Sequence, residues 1–379
     1  MPKTLPLRPE RLHPRKAELA VDVESSSDIR TSPPLPTQPR ALQALELALL
    51  VRDNEHNVFL SGNAGLGRTY FVCKFLAPEA EVRQTPPDLI YLHNFDNPDR
   101  PQAVALPAGL GKQFQKDLRE AIHEMQKAVP EQFSQEHYLT KRERLIQGFT
   151  ASRADLLEKM EKRAASSGFS LNMDDQGTLA LNPLLEGKNA SLEEFDRLPA
   201  PRRKKIKQQS SRVMKSVMEI LRQLDQEETE LERRKQSLDS SELTKVLERI
   251  FAPLQDKYTE HKPLADHLNR VVEDILDHVE IFQPGEEERA EESDQREELF
   301  KRFKANLFVD NSGISGAPVI IEDNPSFFNL LGCIERETEM GTMHTDFSLL
   351  RAGSLHRANG GFLILKAEQL LANPQSWEG

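Results

Sequence analysis

Cysteine is nearly missing from this sequence: Cys73 and Cys333 are the only two in 379 residues. A disulfide framework is thereby excluded, and the usage fits a reducing compartment. No apolar run approaches the roughly 20 residues that span a bilayer. The N-terminus, Met-Pro-Lys-Thr-Leu-Pro, has none of the apolar core of a secretory signal. Positive charge is in deficit. Fifty lysines and arginines against 61 aspartates and glutamates give −11, which argues against a general binder of nucleic acid or of membrane surfaces. The histidines are scattered, with no i, i+4 pair around a carboxylate, so no metal site is expected. The expected location is the cytoplasm.

What is present is length and charge. A chain of this size exceeds the ~100–200 residues of one compact domain, so two or three units are expected. Residues 1–39 hold eight of the 24 prolines and read as an extended Pro/Ser-rich arm. Leu42, Leu45 and Leu49 recur at helical spacing within Arg40–Arg52, and Val58-Phe59-Leu60 reads as a short strand. Leu89–Leu92 and Ala103–Leu106 read as further strands, closing the first part of an α/β domain at 40–111.

Residues 112–282 read as a helical insertion. Phe114, Leu118, Ile122 and Met125, then Leu145, Phe149, Leu156 and Met160, mark an early helix over about 112–165. A heptad register follows between 206 and 238: Val217, Leu224, Leu231 and Leu238 fall on one seam, Ile206, Val213 and Ile220 on the other. Glu227 and Arg234 interrupt the second seam. Between these helices, alternation around Asp-Asp-Gln-Gly over 169–182 predicts a β-hairpin, and Ser191–Glu194 matches a capping box. Such a pattern predicts an antiparallel arm with the hairpin at its tip. Residues 283–298 read as a solvated acidic linker, because 284–298 carry eight acidic and two basic side chains. Strands return over 304–309, 319–322 and 362–365, so 299–379 form the second part of the α/β domain.

Gly62-Asn63-Ala64-Gly65-Leu66-Gly67-Arg68-Thr69 fits the phosphate-loop pattern G-x-x-x-x-G-K-[ST] except that Arg68 replaces lysine. Backbone N–H groups at a helix start cradle phosphates in such a loop, and the hydroxyl holds Mg²⁺. The planar head of Arg68 cannot copy a compact ammonium at the transferring phosphoryl group. A second requirement is an acidic pair at the end of a later apolar strand. Gly361–Leu365 instead ends in Lys366-Ala367, a cation where an aspartate would support the metal and a methyl where a glutamate would position water. A rival strand ends in Glu322-Asp323. The expected degenerate nucleotide site is therefore Gly62, Asn63, Gly65, Gly67, Arg68, Thr69, Lys366 and Ala367. Neither ATP hydrolysis nor an ATP or Mg²⁺ cofactor is expected.

Four segments carry a family likeness: Tyr91-Leu-His-Asn-Phe-Asp-Asn-Pro-Asp-Arg-Pro, Asn306-Leu-Phe-Val-Asp-Asn-Ser-Gly, Ile321-Glu-Asp-Asn-Pro and Leu355-His-Arg-Ala-Asn-Gly-Gly. Over about residues 40–379 the chain resembles the Lon-like proteases, especially the ATP-independent group called LonC. The resemblance implies a P-loop, AAA-like parallel-sheet domain interrupted by the helical insertion, in a serine protease that degrades unfolded polypeptides as a homo-hexamer. It also implies a Ser–Lys peptidase domain, for which no motif is visible, so the sequence reads as the N-terminal portion of such an enzyme. AAA unfoldases present a hydrophobic–glycine loop to a central pore some two dozen residues before the acidic strand end. Met340, Gly341 and Met343 lie at that offset, with a plain turn as the alternative. Phe327 and Phe328 could line the same entrance or be ordinary core. Arg202-Arg203-Lys204-Lys205, followed by Lys207, is the one basic cluster and reads as a solvated helix start rather than a nucleic-acid patch. Two other functions remain open: an active AAA+ ATPase using Arg68 and Glu322-Asp323, and a non-enzymatic coiled-coil scaffold.

Overall fold

The computed structural model describes residues 25, 38–51, 56–63, 65–173, 179–185, 188–190, 195, 198–282, 290–339 and 342–378. The Pro/Ser-rich arm therefore lies almost wholly outside the described residues, as does the capping box at 191–194. The chain divides into two compact units, Met1–Gln84 and Thr85–Gly379.

The first unit contains α1 (Pro39–Leu50) and α2 (Arg68–Val82). Proline at the first position suits α1, since its missing N–H has no intrahelical acceptor there. Leu45 is buried, as the spacing predicts. The strand expected at Val58–Leu60 is absent. Residues 56–60 are irregular, with Val58 and Phe59 exposed, and no second strand is hydrogen-bonded to them among the described residues. Three apolar residues without a ladder partner leave their backbone groups to solvent.

The second unit begins with β1 (Asp88–Leu92) and β2 (Gln102–Leu106), then α3 (Leu110–Phe133) and α4 (Glu136–Ser166). A hairpin of β3 (Phe169–Met173) and β4 (Leu179–Leu185), with the short β5 (Lys188–Asn189), precedes α5 (Ala200–Lys257). Its turn at 174–178 lies outside the described residues. Then come α6 (Lys262–Asp277), α7 (Ala290–Arg302), β6 (Ala305–Val309), β7 (Val319–Glu322) and α8 (Phe327–Leu331). Short strands β8 (Cys333–Ile334), β9 (Glu337–Glu339), β10 (Thr342–His344) and β11 (Leu350–Arg351) follow, then α9 (Ser354–Arg357), β12 (Phe362–Leu365), α10 (Ala367–Leu371) and α11 (Pro374–Glu378).

The fold is mixed α/β, but the single parallel layer that was expected is not what forms. β2, β1 and β6 make a three-stranded antiparallel sheet, and β7 pairs in parallel with β12 alone. Connection length accounts for the β1–β2 pair, though not for β1–β6, which is antiparallel across a long connection. Residues 93–101 suffice only for an antiparallel return between β1 and β2, whereas the long path from β7 to β12 allows a parallel crossover.

One hydrophobic core runs from the sheet into the helices. Ile90 and Leu92 meet Phe114, Leu118, Ile122 and Met125 of α3. The same cluster continues through Leu243, Leu247 and Phe251 of α5 and Leu264, Leu268, Val271 and Ile275 of α6. The base of the insertion is thus the main core of the unit. Only its outer length, from about 140 to 238, stands apart as a helical hairpin. The single early helix expected over 112–165 is broken at Ser134-Gln135, where the Ser134 hydroxyl donates to the Pro130 carbonyl. Pairing along the arm fixes its register: Tyr138 with Asp239 near the base, Ser152 with Glu227 midway, and Met160, Ala164 and Phe169 with Val213 and Val217 at the far end. The hairpin therefore sits at the end remote from the core. Glu227, one of the two interruptions of the heptad seam, is the acceptor for Ser152.

The second half of the acidic linker is helical. Leu299 and Phe303 are buried, and Arg296 donates to the Ile281 carbonyl at 2.7 Å, so α7 is held to the core despite its charge.

Candidate functional site

In the first unit the glycine-rich stretch is a loop that leads directly into α2. Gly65 and Gly67 take φ of 82° and 69°, which favour glycine, and α2 starts at Arg68 with no side-chain cap. Gly62, Asn63 and Gly67 are exposed, and Arg68 and Thr69 are half-buried; Ala64 lies outside the described residues. The Arg68 side chain folds back over the loop, its Cδ about 3.5 Å from where a Cβ on Gly62 would stand.

In the second unit, the C-terminal ends of β7 and β12 bring Glu322, Asp323 and Lys366 together. Leu365 lies opposite Glu322 in the parallel register, so the next residues, Lys366 and Asp323, are neighbours. Lys366 Nζ sits 2.6 Å from Asp323 Oδ1. Glu322 is held from three sides: by the Ser354 hydroxyl at 2.5 Å, the Asn324 N–H at 3.0 Å and Arg357 at 3.6 Å. Ser354 also lies 2.9 Å from the Asn329 carbonyl and accepts from Arg357. Each of the two carboxylates thus has a cationic partner, Lys366 for Asp323 and Arg357 for Glu322. Among the described residues, no group of three His, Cys, Asp or Glu side chains could hold a metal. Ala367 opens α10, with Lys366 as the residue before it. The backbone permits this closeness because Gly361 lies against β7: a Cβ there would stand 2.0 Å from the Pro318 carbonyl oxygen.

The expected substrate-facing residues fall in the same stretch. Phe327 and Phe328 open α8 with their rings 5.8 Å apart and edge-on, and Phe328 is 65% exposed, so it is not core. Met343 is equally exposed on β10, which pairs antiparallel with β9, Thr342 opposite Glu339. Met340 and Gly341, between these strands, lie outside the described residues.

Two features escaped the sequence reading. Asp88 is fully buried and accepts N–H bonds from Gly111 at 3.0 Å and Asn311 at 2.8 Å, fastening the start of α3 and the loop after β6 to β1. A hydrophilic residue opening an apolar strand was its one signal. His267 is buried with an unpartnered Nε2, its ring 5.7 Å from Phe95, which in turn meets His93. Its place among Leu264, Leu268, Val271 and Ile275 was readable from spacing. Burial, with a smaller contribution from His93, pushes its pKa down to about 3. Burial and then Arg302 push His93 down as well.

One serine and one lysine do meet: Lys112 Nζ is 3.3 Å from Ser312 Oγ. Asp310 shares the ammonium at 2.9 Å. Burial raises the Asp310 pKa, but hydrogen bonds from Ser312 and Lys112 outweigh it and hold the carboxyl below its usual range. An exposed, ion-paired ammonium is a donor and not a general base, so this contact is not a catalytic dyad. An open groove of about 640 Å³ beside Leu118, Ile122 and Phe300 contains none of the expected site residues.

Two segments match known families. Residues 315–379 match the model described as LonB-like, AAA domain. Residues 88–121 match the model described as Lon-like LonC helical domain. No curated protein matches the chain. The first match covers β7, β12 and their ion pairs; the second begins at Asp88 and runs through β1, β2 and the first half of α3. Over both segments the chain is similar to Lon-like proteins.

Proposed function

We propose that this chain is the AAA-like, substrate-handling portion of a Lon-like serine protease, of the ATP-independent LonC kind, with degenerate nucleotide motifs. The observation that carries the reading is the Lys366–Asp323 ion pair, beside a Glu322 already engaged by Ser354, Asn324 and Arg357. Phosphoryl transfer from ATP needs a metal, a compact cation and a positioned water together. Here the carboxylates that would hold the metal are neutralised, and the loop cation is Arg68. The exposed Phe328 and Met343 supply soft apolar contacts suited to unfolded polypeptide of many sequences. Assembly as a homo-hexamer around an entrance pore, in the cytoplasm, completes the proposal. No helix among the described residues is long and apolar enough to cross a membrane.

The test is phosphate release from MgATP by the chain. The expected result is none above the blank; turnover of about 1 s⁻¹ would promote an active AAA+ module instead.

A further inference from the structure

The first five turns of α5 are cationic without exception. Between Ala200 and Met218 stand Arg202, Arg203, Lys204, Lys205, Lys207, Arg212 and Lys215, with no acidic residue until Glu219. The chain as a whole carries −11, so its remainder carries −18 (−11 less these seven charges). The cations also occupy the end of a 58-residue helix where they are least favoured, since the macrodipole is positive at the N-terminus. No acidic residue stands in the first turn of the helix itself and no side chain caps it, although Glu193, Glu194 and Asp196 precede it in the sequence. A local arrangement that opposes stability calls for another reason to exist.

The fold fixes which side of this helix is covered. Ile206, Val213, Val217 and Ile220 face Met160, Ala164 and the hairpin residues Phe169, Leu171 and Leu181. Lys204 and Lys215 lie opposite that seam, Lys205 and Arg212 on one flank and Lys207 on the other, and all five are exposed. None of these five has an ion-pair partner among the described residues. The neighbouring lysines of α4 are different: Lys159 is paired with Asp155 and Lys162 with Glu158. Met218, 47% exposed, stands at the end of the cationic stretch. Gln209, beside the seam, donates to the Ser167 carbonyl at 3.4 Å, which ties the helix to the turn leading into the hairpin.

From these placements we infer that the far end of the helical arm is a docking face for acidic segments of unfolded polypeptide. The inference rests on the substrate-handling reading above and names the class of substrate the arm selects. Lys204 to Lys215 span about 16 Å, the length of about five residues of extended chain. An acidic peptide of that length can lie along Lys204, Arg212 and Lys215, with the long side chains of Lys205 and Lys207 reaching in from the two flanks. A nucleic-acid duplex is a poorer occupant, because its continuous phosphates would run past the cations onto the acidic turns that follow, Glu219, Asp225, Glu227, Glu228, Glu230 and Glu232. Met218 adds an adaptable apolar contact for the hydrophobic residues that unfolded segments expose.

Fluorescence anisotropy on the full chain tests this, comparing it with a K204Q/K205Q/K207Q/R212Q/K215Q variant whose helicity is checked by circular dichroism. The probes are two labelled unstructured peptides of about 15 residues, identical except for glutamate or glutamine at five positions, and a DNA duplex of about 20 base pairs. At about 50 mM NaCl the native chain should prefer the glutamate peptide by about tenfold, and added salt should erode the preference. In the variant the two peptides should bind within about twofold of each other. If the five-site variant loses helicity, K204Q/K205Q should still reduce the preference by about threefold. A preference that survives either folded variant, no preference in the native chain, or tighter binding of the duplex would overturn the inference. Binding of the glutamine peptide, equal in both proteins, reports separately on substrate handling; its failure in both would count against that reading.

Discussion

Acidification should destabilise this protein through one histidine. His267 lies on the apolar stripe of α6, is 3% exposed, and has no hydrogen-bond partner for Nε2. In the folded state its pKa is about 3, against 6.5 for the unperturbed imidazole. The folded chain therefore excludes a proton that the unfolded chain binds. The stability this neutral form preserves is fully present above pH 6.5 and is lost progressively as pH falls toward 3. At pH 5 the unfolded state is protonated and the folded state is not. The gap of about 1.5 pH units below the unfolded pKa then costs about 2 kcal/mol at 1.36 kcal/mol per unit. Urea denaturation of the native chain and of His267→Leu at pH 7.5 and pH 5 isolates the contribution, since the other titrations, apart from the smaller coupling to His93, are common to both. The native chain should lose about 2 kcal/mol more than the variant over that interval. Equal losses in the two proteins would refute the assignment of a buried, neutral imidazole.

Two further outcomes follow from the arm and the strand pair. Tyr138→Phe removes the hydroxyl that donates to the buried Asp239 at 2.8 Å and should cost about 2 kcal/mol in urea denaturation, as a buried carboxylate loses a donor; a loss below about 0.5 kcal/mol would mean the bond is not formed in solution. Gly361→Ala places a methyl 2.0 Å from the Pro318 carbonyl oxygen and should cost at least about 3 kcal/mol, abolishing amide exchange protection in β7 and β12 while sparing β1. Unchanged protection there would show that the strands approach less closely than described.

Local pattern was the legible part of this molecule. The stripe Val213, Val217, Ile220 sits in the arm seam because spacing of three and four residues decides which side of a helix is apolar. The alternation over 169–182 became a hairpin for the same kind of reason. Contacts between distant segments were not legible. Nothing near Lys366 reveals that it faces Asp323; that follows from the parallel register of two strands about 40 residues apart. Phe327 and Phe328 form too short an apolar run to carry a period, so exposure could not be separated from burial. The helix across the acidic run depended on Leu299 and Phe303 reaching the core, which outweighed repulsion among its carboxylates.

The continuity of α5 makes the arm a lever with its fulcrum inside the core. The helix runs without interruption from Ala200, beyond the hairpin, to Leu243, Leu247 and Phe251, which pack against α3 and α6. From its first residue to Leu243 is about 65 Å, so one degree of tilt at the fulcrum moves the free end by about 1 Å. No loop along that helix can absorb a pull. Force applied to a polypeptide held at the cationic end would therefore arrive as torque on the helices packed against β1, the strand that Asp88 fastens to its neighbours.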